Sequence, residues 1–471
     1  GIFAGDAAIR DYAAAREGLE QRHADAAELA RLDEKIGHVL TTVGRYDEAA
    51  GFLERAATVH EQRHDLEAAG RLVASIGMVH RYKGTFEDGI ARVTKMVDAL
   101  TPYGPSDSLA SLHLALANLY LVLDRCPEVL DAAQKAEDIA TVTGNQRLLG
   151  EARERRGTAL TLLGRPEGRQ LLEQAIPLIE RGGDHVVLFR ALNNAGESSK
   201  VVGDLEAARR YTVQALAVAE RMGNPDTITF LYGNLATILA IHGDWEGARV
   251  QIERGLELAG SVDVASGIQA TLDEAARLAL WQGDLDQCQA HLDVAFSLRE
   301  EAKDRQFIES IHALLAELRI TQGRPAEAIE VLNAAGSHEP QGDAAVEGVG
   351  FLGFKLPVAA WAHLATGNVA GALDLSSQGV ERARKQPLYL VEALRIQAMA
   401  SRASGKIDDA VAQADEALEL ARTISYPYAE ARVLAVKSDI MSDLGDDAAA
   451  KRLADESHAI FHRLGAGAHP S

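Results

Sequence analysis

The sequence predicts an all-α fold of stacked antiparallel helix hairpins, on three observations. A turn residue recurs at Gly44, Gly84, Asp124, Gly164, Gly203, Gly243, Gly283, Gly323, Gly367, Gly405 and Gly445, at spacings of 40, 40, 40, 39, 40, 40, 40, 44, 38 and 40. Small residues keep phase with it. Seven before the turns stand Gly37, Gly77, Ala117, Gly157, Gly196, Ala236, Ala276, Ala316, Ala360, Ala398 and Ser438. Five after stand Ala49, Gly89, Val129, Ala208, Ala248, Cys288, Ala328, Ala372, Ala410 and Ala450. Apolar residues flank each turn at a helical period, as Ala191, Leu192, Ala195, Val201 and Val202 do before Gly203, and Leu205, Ala208, Tyr211, Ala215 and Ala219 after it.

Each hairpin follows from these residues. A glycine suits the left-handed conformation that ends a helix, and so short a turn makes the flanking helices antiparallel. Small residues at the crossing let the two helices interlock. Residues 1–24 read as a partial leading unit, with Gly5-Asp6 as its turn and only a second helix after it. The start at glycine predicts a piece excised from a longer protein, Gly1 being left by tag removal. Repeats 1 to 8 fill residues 25–335. The third has Asp124-Arg125-Cys126-Pro127 at its turn, where Pro127 can open a helix because first-turn residues need no amide donor. The fourth has lost a residue, so Gly168 and Ala175 carry its small positions one early. Residues 336–353 read as an enlarged, glycine-rich loop, residues 354–464 as repeats 9 to 11, and residues 465–471 as a frayed tail.

The pattern resembles the tetratricopeptide repeat, with its hydrophobic-small-turn-small order and an aromatic residue two after several turns, at Tyr46, Phe86 and Trp245. That family has a period of ~34 residues. The extra length falls between one second helix and the next first helix, so the tight turn is unchanged. The resemblance implies a right-handed superhelix whose concave wall is lined by the first helices. Long-period arrays of this kind also resemble the sensor regions of bacterial signal-transduction (STAND) ATPases, including the maltose-regulon activator type. That resemblance implies a ligand-driven change in the array that releases an upstream ATPase.

Composition narrows the partners. The formal net charge of −21 repels phosphate backbones and anionic lipid, so neither nucleic acid nor a membrane is expected as a partner. No apolar run approaches the ~20 residues of a membrane helix. Two cysteines, Cys126 and Cys288, fit a reducing, cytoplasmic setting, and Cys288 reads as a small core residue.

Two motifs compete with this reading. His60-Glu61-Gln62-Arg63-His64 matches H-E-x-x-H, which would place two imidazoles on one helical face with Glu61 as the base of a zinc hydrolase. It sits at the end of a repeat helix without a downstream ligand motif. Gly348-Val349-Gly350-Phe351-Leu352-Gly353 matches G-x-G-x-x-G but lacks the strand that dinucleotide binding needs. The expectation is therefore no catalysis, no metal and no cofactor.

Recognition residues are sought nine before each turn, where Lys35, Ser75, Ala115, Arg155, Asn194, Asn234, Glu274 and Leu314 stand. A solenoid presents such equivalent positions side by side. With neighbours on the same helices, the candidate groove is Arg155, Arg190, Asn193, Asn194, Glu197, Lys200, Phe230, Asn234, Arg277 and Trp281. The paired Asn193 and Asn194 resemble those of peptide-binding tetratricopeptide arrays, where amides hold a peptide backbone and basic residues a carboxylate. The expected function is a non-catalytic recognition and sensor domain for a peptide or protein partner. The alternatives are a sensor of a sugar or metabolite and, third, the zinc hydrolase. The last helix keeps Leu453, Ile460, Phe461 and Leu464, so the expectation is that either a partner covers it or the chain dimerises end to end.

Overall fold

The structure, a computed structural model, describes residues 2–123, 125–165, 167–261, 267–298, 305–335 and 352–467. Among these the regular elements are twenty-three α-helices, one 3₁₀ turn and no strand. The chain divides into two compact units, Gly1–Leu162 with Glu167–Val187, and Leu163–Pro166 with Leu188–Ser471.

The first unit opens with α1 (Ile2–Gln21), which runs unbroken through Gly5-Asp6, so the expected turn there is absent. Four hairpins follow: α2 (Ala26–Thr42) with α3 (Tyr46–Gln62), α4 (Leu66–Lys83) with α5 (Phe86–Leu100), α6 (Asp107–Val122) with α7 (Cys126–Thr143), and α8 (Gln146–Leu162) with α9 (Glu167–Gly182). The second unit holds α10 (His185–Val201) with α11 (Leu205–Met222), α12 (Pro225–His242) with α13 (Trp245–Ser261), α14 (Ile268–Gln282) with α15 (Leu285–Ser297), and α16 (Arg305–Thr321) with α17 (Pro325–Ala335). It ends with α18 (Leu352–Ala365) and α19 (Val369–Ala383), α20 (Pro387–Ala403) and α21 (Ile407–Thr423), and α22 (Pro427–Asp443) and α23 (Asp447–Leu464).

The turn chemistry is uniform. Gly44, Gly84, Gly164, Gly203, Gly243, Gly283, Gly323, Gly367, Gly405 and Gly445 all have φ between 64° and 89°, the left-handed region where a Cβ is penalised. Asp124 lies outside the described residues. The residue after the glycine often caps the next helix. Asp204 Oδ1 accepts from the Ala207 amide at 3.0 Å, and Asp284 Oδ1 from Gln287 at 3.0 Å. This explains the recurring Gly-Asp dipeptide.

The small residues set the helix–helix distance. A Cβ on Gly37 would lie 2.6 Å from Leu53 Cγ, and one on Gly77 2.9 Å from Val93 Cγ2. In the repeat shortened by one residue, a Cβ on Gly157 would meet the Gly168 carbonyl at 2.9 Å, and one on Gly168 would meet the Gly157 carbonyl at 2.6 Å. Backbone touches backbone there, so Gly168 does at its early position what alanine does elsewhere. Ala49, Ala208, Ala248, Cys288, Ala328, Ala372 and Ala410 are fully buried. The longer period is helical: α11 and α12 each have 18 residues, with only Gly223 and Asn224 between them.

First helices also touch the next first helix, as α12 does α14 and α18 does α20. This leaves one face of each hairpin row to the second helices and the other to the inner side of the unit. Of the expected enlarged loop, 336–351 lies outside the described residues, and most of the G-x-G-x-x-G match with it. The first residues of the expected tail are held. Gly465 caps α23 with φ 71°, and the Gly467 amide donates to the Trp281 carbonyl at 3.1 Å.

Candidate functional site

The inner side of the second unit is partly taken up by its own last hairpins. The turns of its first three hairpins press against the start of α22 and the end of α23. A Cβ on Gly203 would lie 2.2 Å from Ile424 Cγ2, and one on Gly243 2.8 Å from Pro427 Cγ. Behind these turns the Trp281 ring stacks on Tyr428 at 4.5 Å between centroids, with Tyr426 at 6.1 Å and Trp245 at 6.0 Å. Both tryptophans and both tyrosines belong to a single apolar cluster with Leu388, Tyr389 and Ile424. Burial of these rings is what drives the contact.

The candidate residues lie on α8 of the first unit and on α10, α12 and α14 of the second. Arg155, on α8 of the first unit, is 4% exposed beside Glu154 at 3.5 Å. Arg190, Asn193, Asn194 and Glu197 on α10 and Phe230 on α12 are half-buried. Asn234 Nδ2 donates to Asn193 Oδ1 at 3.1 Å, so this amide pair ties α12 to α10. Lys200 is buried with Glu197 at 2.8 Å. Burial works against its charge, but Glu197 keeps its pKa above the ordinary value. Arg277 pairs with Asp273 at 2.7 Å and Glu274 at 3.4 Å. Trp281 is core.

Glu274 is the least comfortable group of this wall. It is 1% exposed, and Thr237 Oγ1 donates to its Oε2 at 2.9 Å, while its Oε1 has no hydrogen-bond partner. Burial pushes its carboxyl up to about 7, against the pull of Arg277.

A second polar layer lies where α16, α18, α20 and α22 converge. Arg432 reaches Glu317 at 3.0 Å and Glu392 at 3.7 Å, and Arg395 reaches Glu392 at 2.8 Å. Both guanidinium groups lie over the Trp361 ring, at 5.3 Å for Arg395 and 5.2 Å for Arg432. Burial opposes the charge on Glu392, yet Arg395 and Arg432 hold its pKa below the ordinary value.

Above this layer is an open cavity of about 630 Å3. Ile320, Trp361, Met399 and Val436 supply its apolar surface, and Arg402, Asp439 and Asp443 its polar edge. Trp361, Met399 and Asp439 each stand six before their turn glycine, and Ala365, Ala403 and Asp443 each two before. The cavity therefore repeats one helical stripe across successive first helices. In this unit the row six before the turn, which includes Glu197, Thr237, Arg277 and Glu317, faces inward. The row nine before it sinks between layers, as Asn234, Glu274 and Leu314 do. Sequence reasoning followed the second row and so passed over Arg402, Asp439 and Asp443. Reading the first would have found Asp439; Arg402 and Asp443 stand three and two before their turns, off both rows.

The H-E-x-x-H match does not make a metal site here. His64 lies beyond the end of α3 with φ 58°, off the helical face of His60. His60 Nδ1 lies 3.2 Å from Asp65, and Glu61 pairs with Arg92 at 2.7 Å. Among the described residues no three His, Cys, Asp or Glu are grouped to hold a metal, and no helix is long and apolar enough to cross a membrane. Cys126 and Cys288 are both buried.

A family model described as the MalT-like TPR region matches residues 150–429. No curated protein matches the sequence. Among solved structures, the APC/C hetero-tetramer Cut9–Hcn1 is similar at 12% identity and a TM-score of 0.52, over 94% of this chain and 85% of that one. Aspartyl phosphate phosphatase F from Bacillus subtilis is similar at 13% identity and a TM-score of 0.46, over 58% and 71%. The Rap conjugation gene regulator of the plasmid pLS20, in complex with the Phr* peptide, is similar at 17% identity and a TM-score of 0.46, over 71% and 94%. The likeness to Cut9–Hcn1 extends to the fold, a tetratricopeptide-like helical array.

Proposed function

The chain belongs to the MalT-like TPR region family, and from that premise we propose a non-catalytic recognition and sensor domain that binds a peptide or protein on the inner side of its first helices. The observation that carries this reading is the cavity, whose lining repeats the positions six and two before the turn over α18, α20 and α22, with Ile320 of α16 beside them. A stack of repeats reads an extended guest in this way, each layer contributing the same few positions. Half-buried Arg190, Asn193, Asn194, Glu197 and Phe230 are proposed contacts on α10 and α12. Lys200, Asn234, Arg277 and Trp281 support them by holding the wall in shape. Fluorescence anisotropy against a randomised peptide library tests the proposal. Binding that is lost in the Asn194→Ala, Asn234→Ala double variant is expected. A library without a binder would contradict it.

A second reading is a small-ligand sensor that controls an attached ATPase. It draws on the family and on the cavity's size, which lies within the ~300–1,000 Å3 of ligand pockets. A thermal-shift screen of sugars and metabolites separates the two, because a ligand that binds only the folded state raises Tm.

A further inference from the structure

We infer that the cavity on α16, α18, α20 and α22 holds a lysine or arginine side chain of an extended peptide. This rests on the peptide-recognition reading above and adds to it the charge and the place of the guest.

Charge is the first argument. Arg402 at the cavity edge donates to Asp439 at 2.8 Å and to Asp443 at 2.6 Å, so a single guanidinium is shared by two carboxylates. The edge carries one net negative charge. Arg402 also holds the Asp443 carboxyl below its ordinary pKa, so that charge persists at neutral pH. The floor adds nothing, because Arg395 and Arg432 balance Glu317 and Glu392. The three edge side chains are 33%, 38% and 41% exposed. An incoming ammonium or guanidinium would join carboxylates that are already wet, with little desolvation. An incoming carboxylate would meet Asp439 and Asp443 with Arg402 already engaged. The chain's net charge of −21 favours the same sign of guest at longer range.

The apolar surface is the second argument. Ile320, Met399 and Val436 offer a slope beside the charged edge. A long basic side chain fits such a junction, its methylenes against the slope and its head at the rim. Arg395 and Arg432 already lie over the Trp361 ring, so selection falls to the carboxylates and not to a cation–π contact.

The test is fluorescence anisotropy of labelled peptides of fixed length with lysine, arginine, acetyl-lysine or glutamate at the central position, taken from binders selected on the intact chain. Lysine and arginine peptides should bind, and acetylation should weaken binding about five- to tenfold, as expected for two half-exposed ion pairs. Glutamate peptides should bind least, and added salt should narrow the differences. Asp439→Asn with Asp443→Asn should bring the lysine peptide down to the acetyl-lysine level while the circular dichroism spectrum is unchanged. The acetyl-lysine comparison stands even if that variant folds poorly, because it leaves the protein intact. Binders indifferent to charge, or preferring glutamate, would overturn this inference and leave peptide recognition standing. Absence of any binder in the selection would remove both.

Discussion

Trp281→Ala should destabilise the second unit by about 3–5 kcal/mol, the range for removing a large aromatic from a packed core. Trp281 is 4% exposed, and its ring stacks on Tyr428 with a 26° interplanar angle. Part of the loss is local, because Ala275 and Leu278 of its own helix share the cluster. The rest falls on the last hairpin, through Tyr426 and Tyr428. Aromatic pairs add ~0.5–1.5 kcal/mol beyond area burial, so a double-mutant cycle with Tyr428→Ala should give a coupling of about 1 kcal/mol or more. Urea unfolding followed by far-UV circular dichroism supplies the free energies. Hydrogen exchange supplies the location, with amides of residues 424–428 exchanging faster in the variant. A loss under about 1 kcal/mol, typical of surface substitutions, together with no coupling to Tyr428, would refute the packing of the last hairpin against α14.

Two substitutions at glycine should have opposite signs. Gly157→Ala places a methyl 2.7 Å from Leu172 Cγ and 2.9 Å from the Gly168 carbonyl, and should cost about 1–3 kcal/mol in urea unfolding. Gly51→Ala, exposed in α3 with nothing nearer than an Arg55 nitrogen at 3.9 Å, should stabilise by up to ~1 kcal/mol. Glu274 makes stability depend on pH. Its folded pKa of about 7 lies above the ordinary 4.5, so the folded state binds the extra proton in that window. Stability should therefore fall as pH rises from about 4.5 to 7, by less than the roughly 3.5 kcal/mol that ~1.4 kcal/mol per unit allows. Glu274→Gln should flatten that part of the profile in urea titrations at several pH values. An unchanged slope would show that Glu274 is not its source.

The hairpin array was legible in the sequence because its determinants are local. A left-handed glycine, a capping Asp and a small residue at the crossing act within one hairpin, so their spacing gives the fold directly. The unbroken α1 shows the limit of that reasoning, since Gly5-Asp6 has turn chemistry and yet lies inside a helix. The site was less legible. Which stripe of a first helix faces inward depends on how layers rotate on one another, and a shift of three residues exchanges Asn234 or Glu274 for Thr237 or Arg277. The contact of Trp281 with Tyr426 and Tyr428 joins hairpins far apart in sequence. No local signal reports it, so Trp281 and Arg277 read as open groove when their partners are supplied by the chain itself. Arg402, Asp439 and Asp443 looked like ordinary surface charges until the cavity gave them a common edge.

The three tryptophans offer a direct reading of how far the inner side is filled. Trp245, Trp281 and Trp361 are each 4–5% exposed; Trp281 and Trp361 stand on first helices of the second unit, and Trp245 opens α13 beside Trp281. Iodide quenching of their fluorescence in the native chain should be weak and linear, and should rise sharply only when urea unfolds the unit. Ready quenching of one or more tryptophans under native conditions would mean an open wall there, and would contradict the closure from which the position of the cavity follows.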